Sequence, residues 1–229
     1  MKNKKRQLYC VGVGPGDPEL ITVKALRILE KVDVIAYPHT DREGMRAVAL
    51  EIASSALGSI ENKEKLPIYV PMKGEEDERR EALSIAASKI HEVLERGQSL
   101  AYLVLGDPMI YGSYTELGKL LGREGYETVY VPGVPSFCAV AARLGMPLAE
   151  GKEMLGIVPA MREIPELREG ESLVLMKAGG RRKDWMESGA LAGRQVKAVS
   201  NCGMEAEVVL DGVTAVSEAT GYFTTVIVK

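Results

Sequence analysis

Two glycine-rich turns carry the strongest chemical signal in the sequence. The first reads Gly12-Val13-Gly14-Pro15-Gly16-Asp17, and the second reads Leu105-Gly106-Asp107-Pro108-Met109-Ile110-Tyr111-Gly112. Each follows a short apolar run of the kind that forms a buried strand, at residues 8–13 and 99–105. Glycine leaves the main chain open to close approach, and ligands of open parallel sheets bind beyond the carboxyl ends of the strands. The first turn falls short of the dinucleotide fingerprint, which would require glycine where Asp17 stands. A carboxylate there repels a pyrophosphate and occupies the N–H groups that would hold it. No Walker lysine follows either. On spacing alone a plain capped turn explains the first loop equally well. The second loop, at the end of another buried strand, strengthens the case for a ligand site.

Other chemistry is sparse. Cys10, Cys138 and Cys202 are far apart and odd in number, with no CxxC pair, so neither a zinc site nor a disulfide framework is expected. His39 and His91 are isolated, and no metal is expected. Free thiols suit a reducing cytoplasm. The net charge of −3 gives no general attraction to nucleic acid or to an anionic membrane. The basic residues 1–6 precede an apolar stretch too short and too glycine-rich for a signal peptide. No run reaches the roughly 18 apolar residues of a membrane span. The clusters Arg79-Arg80 and Arg181-Arg182-Lys183 read as solvated charge.

The elements that must position the two loops follow from periodicity. Asp17 and Pro18 are the N-cap and first position of a helix running to about Lys31, with Leu20, Val23, Leu26 or Ile28, and Leu29 as its apolar stripe. With strands at 8–13 and 32–37 this is a parallel β-α-β unit. Helices are predicted over 45–57, 75–96, 112–123 and 136–144, and strands over 66–70, 99–105 and 127–131. The 75–96 helix buries Leu83, Ala86, Ala87, Ile90 and Leu94 and leaves His91 at its boundary. Beyond Gly145-Met146-Pro147, strand-like runs at 154–158, 173–176, 196–200, 205–210 and 223–228 outnumber helices, which suits a mixed sheet. The reading is α/β with two α/β domains, 1–131 with a mostly parallel sheet and 132–229 with a mixed one.

Three segments in order, Gly12–Asp17, Gly106–Tyr111 and Pro132-Gly133-Val134-Pro135-Ser136, make the chain resemble the tetrapyrrole (corrin and porphyrin) methylase family over nearly its whole length. Within that family, Val70-Pro71-Met72, Gly145–Leu148 followed by Gly151-Lys152-Glu153, and the stretch Leu173–Ala178 are most similar to the enzymes that methylate C20 of precorrin-2 or cobalt-factor II. The resemblance implies a cleft between the two domains, a homodimer, and S-adenosyl-L-methionine bound mainly through loop backbone. Carried over by position, the donor contacts are Pro15, Leu105, Gly106, Asp107, Ile110, Tyr111, Pro135, Ser136, Lys177, Gly203 and Met204. Pro135 replaces the family's usual threonine, so a hydroxyl is lost there while Ser136 keeps one. Lys177 stands where several sister enzymes have methionine.

The reaction implied is direct methyl transfer from a sulfonium to a macrocycle carbon, in which in-line positioning contributes most. No catalytic acid or base is assigned: for Tyr37, Tyr111 and Tyr222 a place in the core is preferred. Lys177, Arg143 and His39 are candidates to pair with the tetrapyrrole carboxylates, although each by itself reads better as an ordinary surface base. The Asp107 side chain is expected to act as a helix N-cap, while the surrounding backbone binds ligand. Two alternatives stand beside this reading. One is a methyltransferase of the same fold acting at another macrocycle carbon or on diphthine. The other is a nucleotide-binding oxidoreductase or binding module.

Overall fold

The computed structural model describes residues 7–40, 47–71, 76–159, 167–179, 189 and 191–229. The chain divides into two compact units, Met1–Val134 and Pro135–Lys229.

In the first unit, β1 (Leu8–Gly12), β2 (Val34–His39), β3 (Glu64–Tyr69), β4 (Leu100–Val104) and β5 (Thr128–Val131) form an all-parallel sheet of order β3-β2-β4-β1-β5. Both faces are covered, which is why β1 and β4 read as continuous apolar runs rather than alternating ones. On one face α1 (Val23–Lys31) and α2 (Val48–Ala56) bury Ala25, Leu29, Ile52 and Ala53 against Val11, Ile35 and Leu103. On the other, α3 (Glu76–Glu95) and α4 (Thr115–Arg123) bury Ala86, Ile90, Leu94, Leu117 and Leu121 against Leu8, Cys10, Val34 and Tyr102. The chain leaving β1 and the chain leaving β4 therefore depart to opposite faces. These two strands are neighbours, so the point where the winding reverses lies between their carboxyl ends.

The second unit carries a mixed sheet of order β6-β7-β10-β8-β9, built from β6 (Met154–Pro159), β7 (Glu171–Met176), β8 (Val196–Ser200), β9 (Val208–Asp211) and β10 (Thr224–Val228). Only β6 and β7 pair in parallel; β10 runs antiparallel to both β7 and β8. Leu173, Leu175, Ala198, Val226 and Val228 share a core with Val216 of α6 (Val213–Ser217). Alternation along β10 sends Thr225 to the opposite face, where its hydroxyl meets Ser136 of α5 (Ser136–Leu144) at 3.3 Å.

Several expectations shift. The Asp17-Pro18 start signal belongs to a separate 3₁₀ turn, Pro18–Leu20, whose Glu19 N–H donates to Asp17 Oδ1 at 2.8 Å. The α-helix begins only after Thr22, which caps it by accepting from Ala25 N–H at 3.1 Å. Val23, expected in the apolar stripe, is 61% exposed because the helix restarts in a new phase. The Asp107-Pro108 repeat of the same signal also makes a turn, and α4 starts at Thr115 rather than at 112. The Glu205 start expected for β9 is replaced by a loop that reaches Val208. His91 is exposed on α3, its Nδ1 hydrogen-bonded to the Tyr126 hydroxyl at 2.7 Å. The first residues expected in α2, Met45 and Arg46, lie outside the described residues, as do Met72, Glu75 and the 181–183 cluster.

Candidate active site

Three main-chain segments meet where β4, β1 and β5 end. Gly14 and Gly106 form an isolated antiparallel bridge, with Gly106 N–H donating to Gly14 C=O at 2.8 Å and Gly14 N–H donating to Gly106 C=O at 3.4 Å. Gly133, just past β5, closes the junction from the other side. A Cβ on Gly12 would lie 2.6 Å from Gly106 O and 2.7 Å from Gly133 N. A Cβ on Gly133 would lie 2.2 Å from Gly106 O. Only glycine permits this three-way backbone contact, which explains Gly12 and Gly133 by packing alone. Gly14 and Gly106 add left-handed backbone, at φ 84° and 72°.

Asp107 fastens the junction. Its Oδ1 accepts from Met109 N–H at 2.8 Å and its Oδ2 accepts from Gly133 N–H at 3.1 Å. The side chain therefore caps a turn and ties down the β5 loop, not the helix expected of it, because α4 starts only at Thr115 with Tyr114 at its N-cap. Behind the junction the Cys10 thiol is fully buried, and burial together with the Asp107 carboxylate drives its pKa far above the usual thiol range. Tyr102 and Tyr114 pack beside it with ring centroids 5.0 Å apart, and burial pushes both phenols up as well.

Of the sequence-predicted donor contacts, Pro15, Leu105, Gly106 and Asp107 belong to this junction, and Ile110 and Tyr111 follow in the turn that Asp107 caps. Tyr111 has φ 50° and is 48% exposed. Its expected place in the core is overturned, because the left-handed turn carries it to the surface. Tyr222, 41% exposed, is overturned likewise, while Tyr37 is half-buried against the α1–α2 core.

The second unit repeats the pattern of strand-end backbone in an unusual conformation. Lys177 follows β7 and Asn201 follows β8, at φ 59° and 53°. With Tyr111 they are the non-glycine residues of positive φ among those described, and such strain gathers at functional sites. The pair flanks the start of β10: Ala178 N–H donates to Thr224 C=O at 2.9 Å and Asn201 N–H donates to Phe223 C=O at 3.0 Å. The Lys177 ammonium lies 5.8 Å from the centroid of the Tyr222 ring. Gly203 and Met204 occupy the loop after Asn201, with Met204 N–H donating to Asn201 C=O at 2.9 Å. Pro135 is the N-cap of α5 and supplies no side-chain acceptor, as the lost hydroxyl requires. Ser136, the first residue of the helix, instead pairs with Thr225.

Arg143 is already engaged. Its Nε lies 2.6 Å from Glu207 Oε1, so a substrate carboxylate would have to displace that partner. Sequence reasoning missed the roles of Asn201, Glu207 and Thr225. Asparagine's tolerance of left-handed backbone is the one signal that marks Asn201. Among the described residues no cluster of three or more His, Cys, Asp or Glu could hold a metal ion.

The sequence model for tetrapyrrole (corrin/porphyrin) methylases matches residues 7–216. The chain belongs to that family. It is 35% identical over 179 residues to the cobalt-precorrin-2 C(20)-methyltransferase of Salmonella typhimurium, a match covering 76% of this chain and 74% of that one. It is 32% identical over 207 residues to the precorrin-2 C(20)-methyltransferase of a Sinorhizobium species, covering 84% and 82%. Among solved structures, the uroporphyrin-III C-methyltransferase of Thermus thermophilus complexed with S-adenosylhomocysteine superposes with a TM-score of 0.69 at 25% identity, covering 97% of this chain and 91% of that one.

Proposed function

We propose that this chain transfers the methyl group of S-adenosylmethionine to the meso carbon C20 of precorrin-2 or its cobalt-bearing counterpart, a step in building the cobalamin ring. The similarity to C20-methyltransferases across three quarters of the chain carries this reading. The glycine junction agrees with it, since its packed backbone keeps side chains off the strand ends where a nucleoside can press. Asp17 and Thr22 already occupy the N–H groups that a pyrophosphate would need, which disfavours the oxidoreductase alternative.

When bound, the donor supplies an electrophilic methyl on a cationic sulfur. The residues assigned to hold it are Pro15, Leu105, Gly106, Asp107, Ile110 and Tyr111 in the first unit, and Pro135, Ser136, Lys177, Gly203 and Met204 in the second. Backbone carbonyls and the Asp107 carboxylate favour a cation near them. The Lys177 ammonium is offered to the substrate's carboxylates, whereas His39, read from the sequence as a surface base, is buried at the end of β2. Catalysis by positioning fits the shortage of candidate acids and bases. The same reading makes the working enzyme a cytoplasmic homodimer with no nucleic-acid or membrane partner. No helix among the described residues is long and apolar enough to cross a membrane.

The test is incubation with methyl-labelled donor and either precorrin-2 or cobalt-factor II, followed by NMR location of the label. Label at C20 is expected. Label at another macrocycle carbon, or transfer to diphthine only, would replace the substrate assignment. Calorimetry showing NAD binding and no response to S-adenosylhomocysteine would overturn the methyltransferase reading itself.

A further inference from the structure

The loop carrying Gly203 and Met204 is closed by the carboxylate of its own last residue. Glu207 Oε2 accepts from Gly203 N–H at 2.8 Å, while Oε1 faces Arg143 Nε at 2.6 Å. The Cys202 thiol is a third donor to the same group. These bonds hold the carboxyl of Glu207 below its ordinary range, with the Gly203 N–H contributing most. Inside the loop, Asn201 Nδ2 donates to Ala206 C=O at 3.0 Å and Glu207 N–H donates to Met204 C=O at 3.1 Å. The loop therefore has a fixed internal shape, and the Glu207–Arg143 pair sets where that shape sits on α5.

Helix α5 joins two parts of the site assigned to this unit. Its first residue, Ser136, bonds Thr225 beside the start of β10, and its last turn carries Arg143. The Arg143 side chain is 54% exposed. An exposed ion pair contributes little to global stability, so the arrangement is poorly explained as a device for holding the fold together. It is better explained by what it orients, the left-handed Gly203 at φ 75° and the Met204 next to it.

We propose that Glu207, held by Arg143, is a positioning residue for the methyl donor: it fixes the Gly203–Met204 loop in the conformation that receives S-adenosylmethionine. This rests on the methyltransferase reading above and adds two residues that do not themselves touch the ligand. Glu207→Ala frees Gly203 N–H and releases the loop. Arg143→Met keeps the bond to Gly203 but frees the carboxylate to swing. Arg143 acts only through Glu207, so the two substitutions are non-additive.

The experiment is calorimetric titration of the full chain with S-adenosylhomocysteine, together with steady-state kinetics in each substrate. Glu207→Ala is expected to weaken binding about tenfold, in line with loss of a hydrogen bond to a charged group. Arg143→Met should weaken it less, and the double variant should match Glu207→Ala alone. The KM for the donor should rise, the thermal midpoint should fall only slightly, as expected for a surface pair, and the KM for the tetrapyrrole and the circular dichroism spectrum should stay at wild-type values. Glu207→Gln, which keeps one acceptor oxygen, should recover part of the affinity. Wild-type affinity in a folded Glu207→Ala variant overturns the inference. So does an additive double variant, or an equal rise in both KM values. If the unaltered chain binds no S-adenosylhomocysteine, the functional reading itself fails, and that result is told apart by the wild-type titration.

Discussion

The glycines of this protein fall into two physical groups, and the difference predicts opposite effects for the same substitution. Gly12 sits in ordinary strand backbone, yet a methyl there meets the main chain of Gly106 and Gly133 at 2.6 and 2.7 Å, and neither can yield as a flexible side chain would. Gly12→Ala must push two loops apart. Overpacking of this kind costs about 1–3 kcal/mol, and it falls on the junction where the donor is assigned. Gly122 in α4 has nothing within 4 Å of a built Cβ. Alanine there removes backbone entropy from the unfolded chain and stabilises a helix by about 0.5–1 kcal/mol. Thermal denaturation should therefore show Gly12→Ala below wild type and Gly122→Ala above it. Calorimetry with S-adenosylhomocysteine should show a loss only in Gly12→Ala. Unchanged binding in a folded Gly12→Ala protein would detach the ligand from the junction.

At the scale of elements, the two ends of the parallel sheet do different work. The carboxyl end carries the glycine loops. At the amino end two lysines donate to carbonyls around the ends of helical turns. Lys63 Nζ donates to Glu30 C=O and Val32 C=O at 2.9 and 2.7 Å, closing the end of α1. Lys65 Nζ donates to the carbonyls of Ile60, Glu61 and Lys63 at 2.5, 3.1 and 3.0 Å around the 3₁₀ turn before β3. Lys63→Met and Lys65→Met should each lower stability by about 1 kcal/mol. Neither should move the affinity for S-adenosylhomocysteine, because the caps and the loops lie at opposite ends of the strands. Denaturant titration and calorimetry on the same preparations check both halves of the expectation. The contrast also marks what a sequence can disclose. Strands β1 and β4 were legible because burial on both faces leaves no room for polar residues, and α5 was legible from 136 to 144 because Gly145 ends it in left-handed backbone. The start of α1 was misread because Asp17-Pro18 is an equally good signal for a 3₁₀ turn, and the choice depends on where Thr22 falls. The glycine loops are marked as a candidate site by composition. The strained backbone at Lys177 and the clasp at Glu207 are not, because both depend on which strands become neighbours.

At the scale of the whole molecule, the shifted ionisations are distributed unevenly, and this makes the pH limits of stability asymmetric. Glu64, Glu153 and Glu207 are held below the ordinary carboxylate range, chiefly by Arg96, by Lys229 and by Gly203 N–H respectively. Groups depressed in the folded state contribute stability that is complete above the unfolded pKa of about 4.3 and is lost as pH falls through it toward the folded values. All three are surface groups in solvent-screened pairs, so the acid limb should be shallow. The steepest part of the alkaline limb arises from the interior of the first unit, with smaller contributions from the raised Tyr130, Cys138 and Lys229. Cys10, Tyr102 and Tyr114 are buried as neutral groups with raised pKa values, and raised groups contribute stability that is complete below the unfolded pKa and lost as pH rises beyond it. The unfolded thiol ionises at about 8.5 and the phenols at about 10, so the loss should begin with Cys10 and steepen when the tyrosines join. Each such group costs about 1.4 kcal/mol per pH unit above its unfolded pKa. Chemical denaturation between pH 4 and 11 should show a gentle decline on the acid side. On the alkaline side the decline should start near pH 9, and Cys10→Ala should delay it to the tyrosine range. If Cys10→Ala leaves the alkaline onset where it was, the thiol beneath Asp107 is not the group that limits the first unit at high pH.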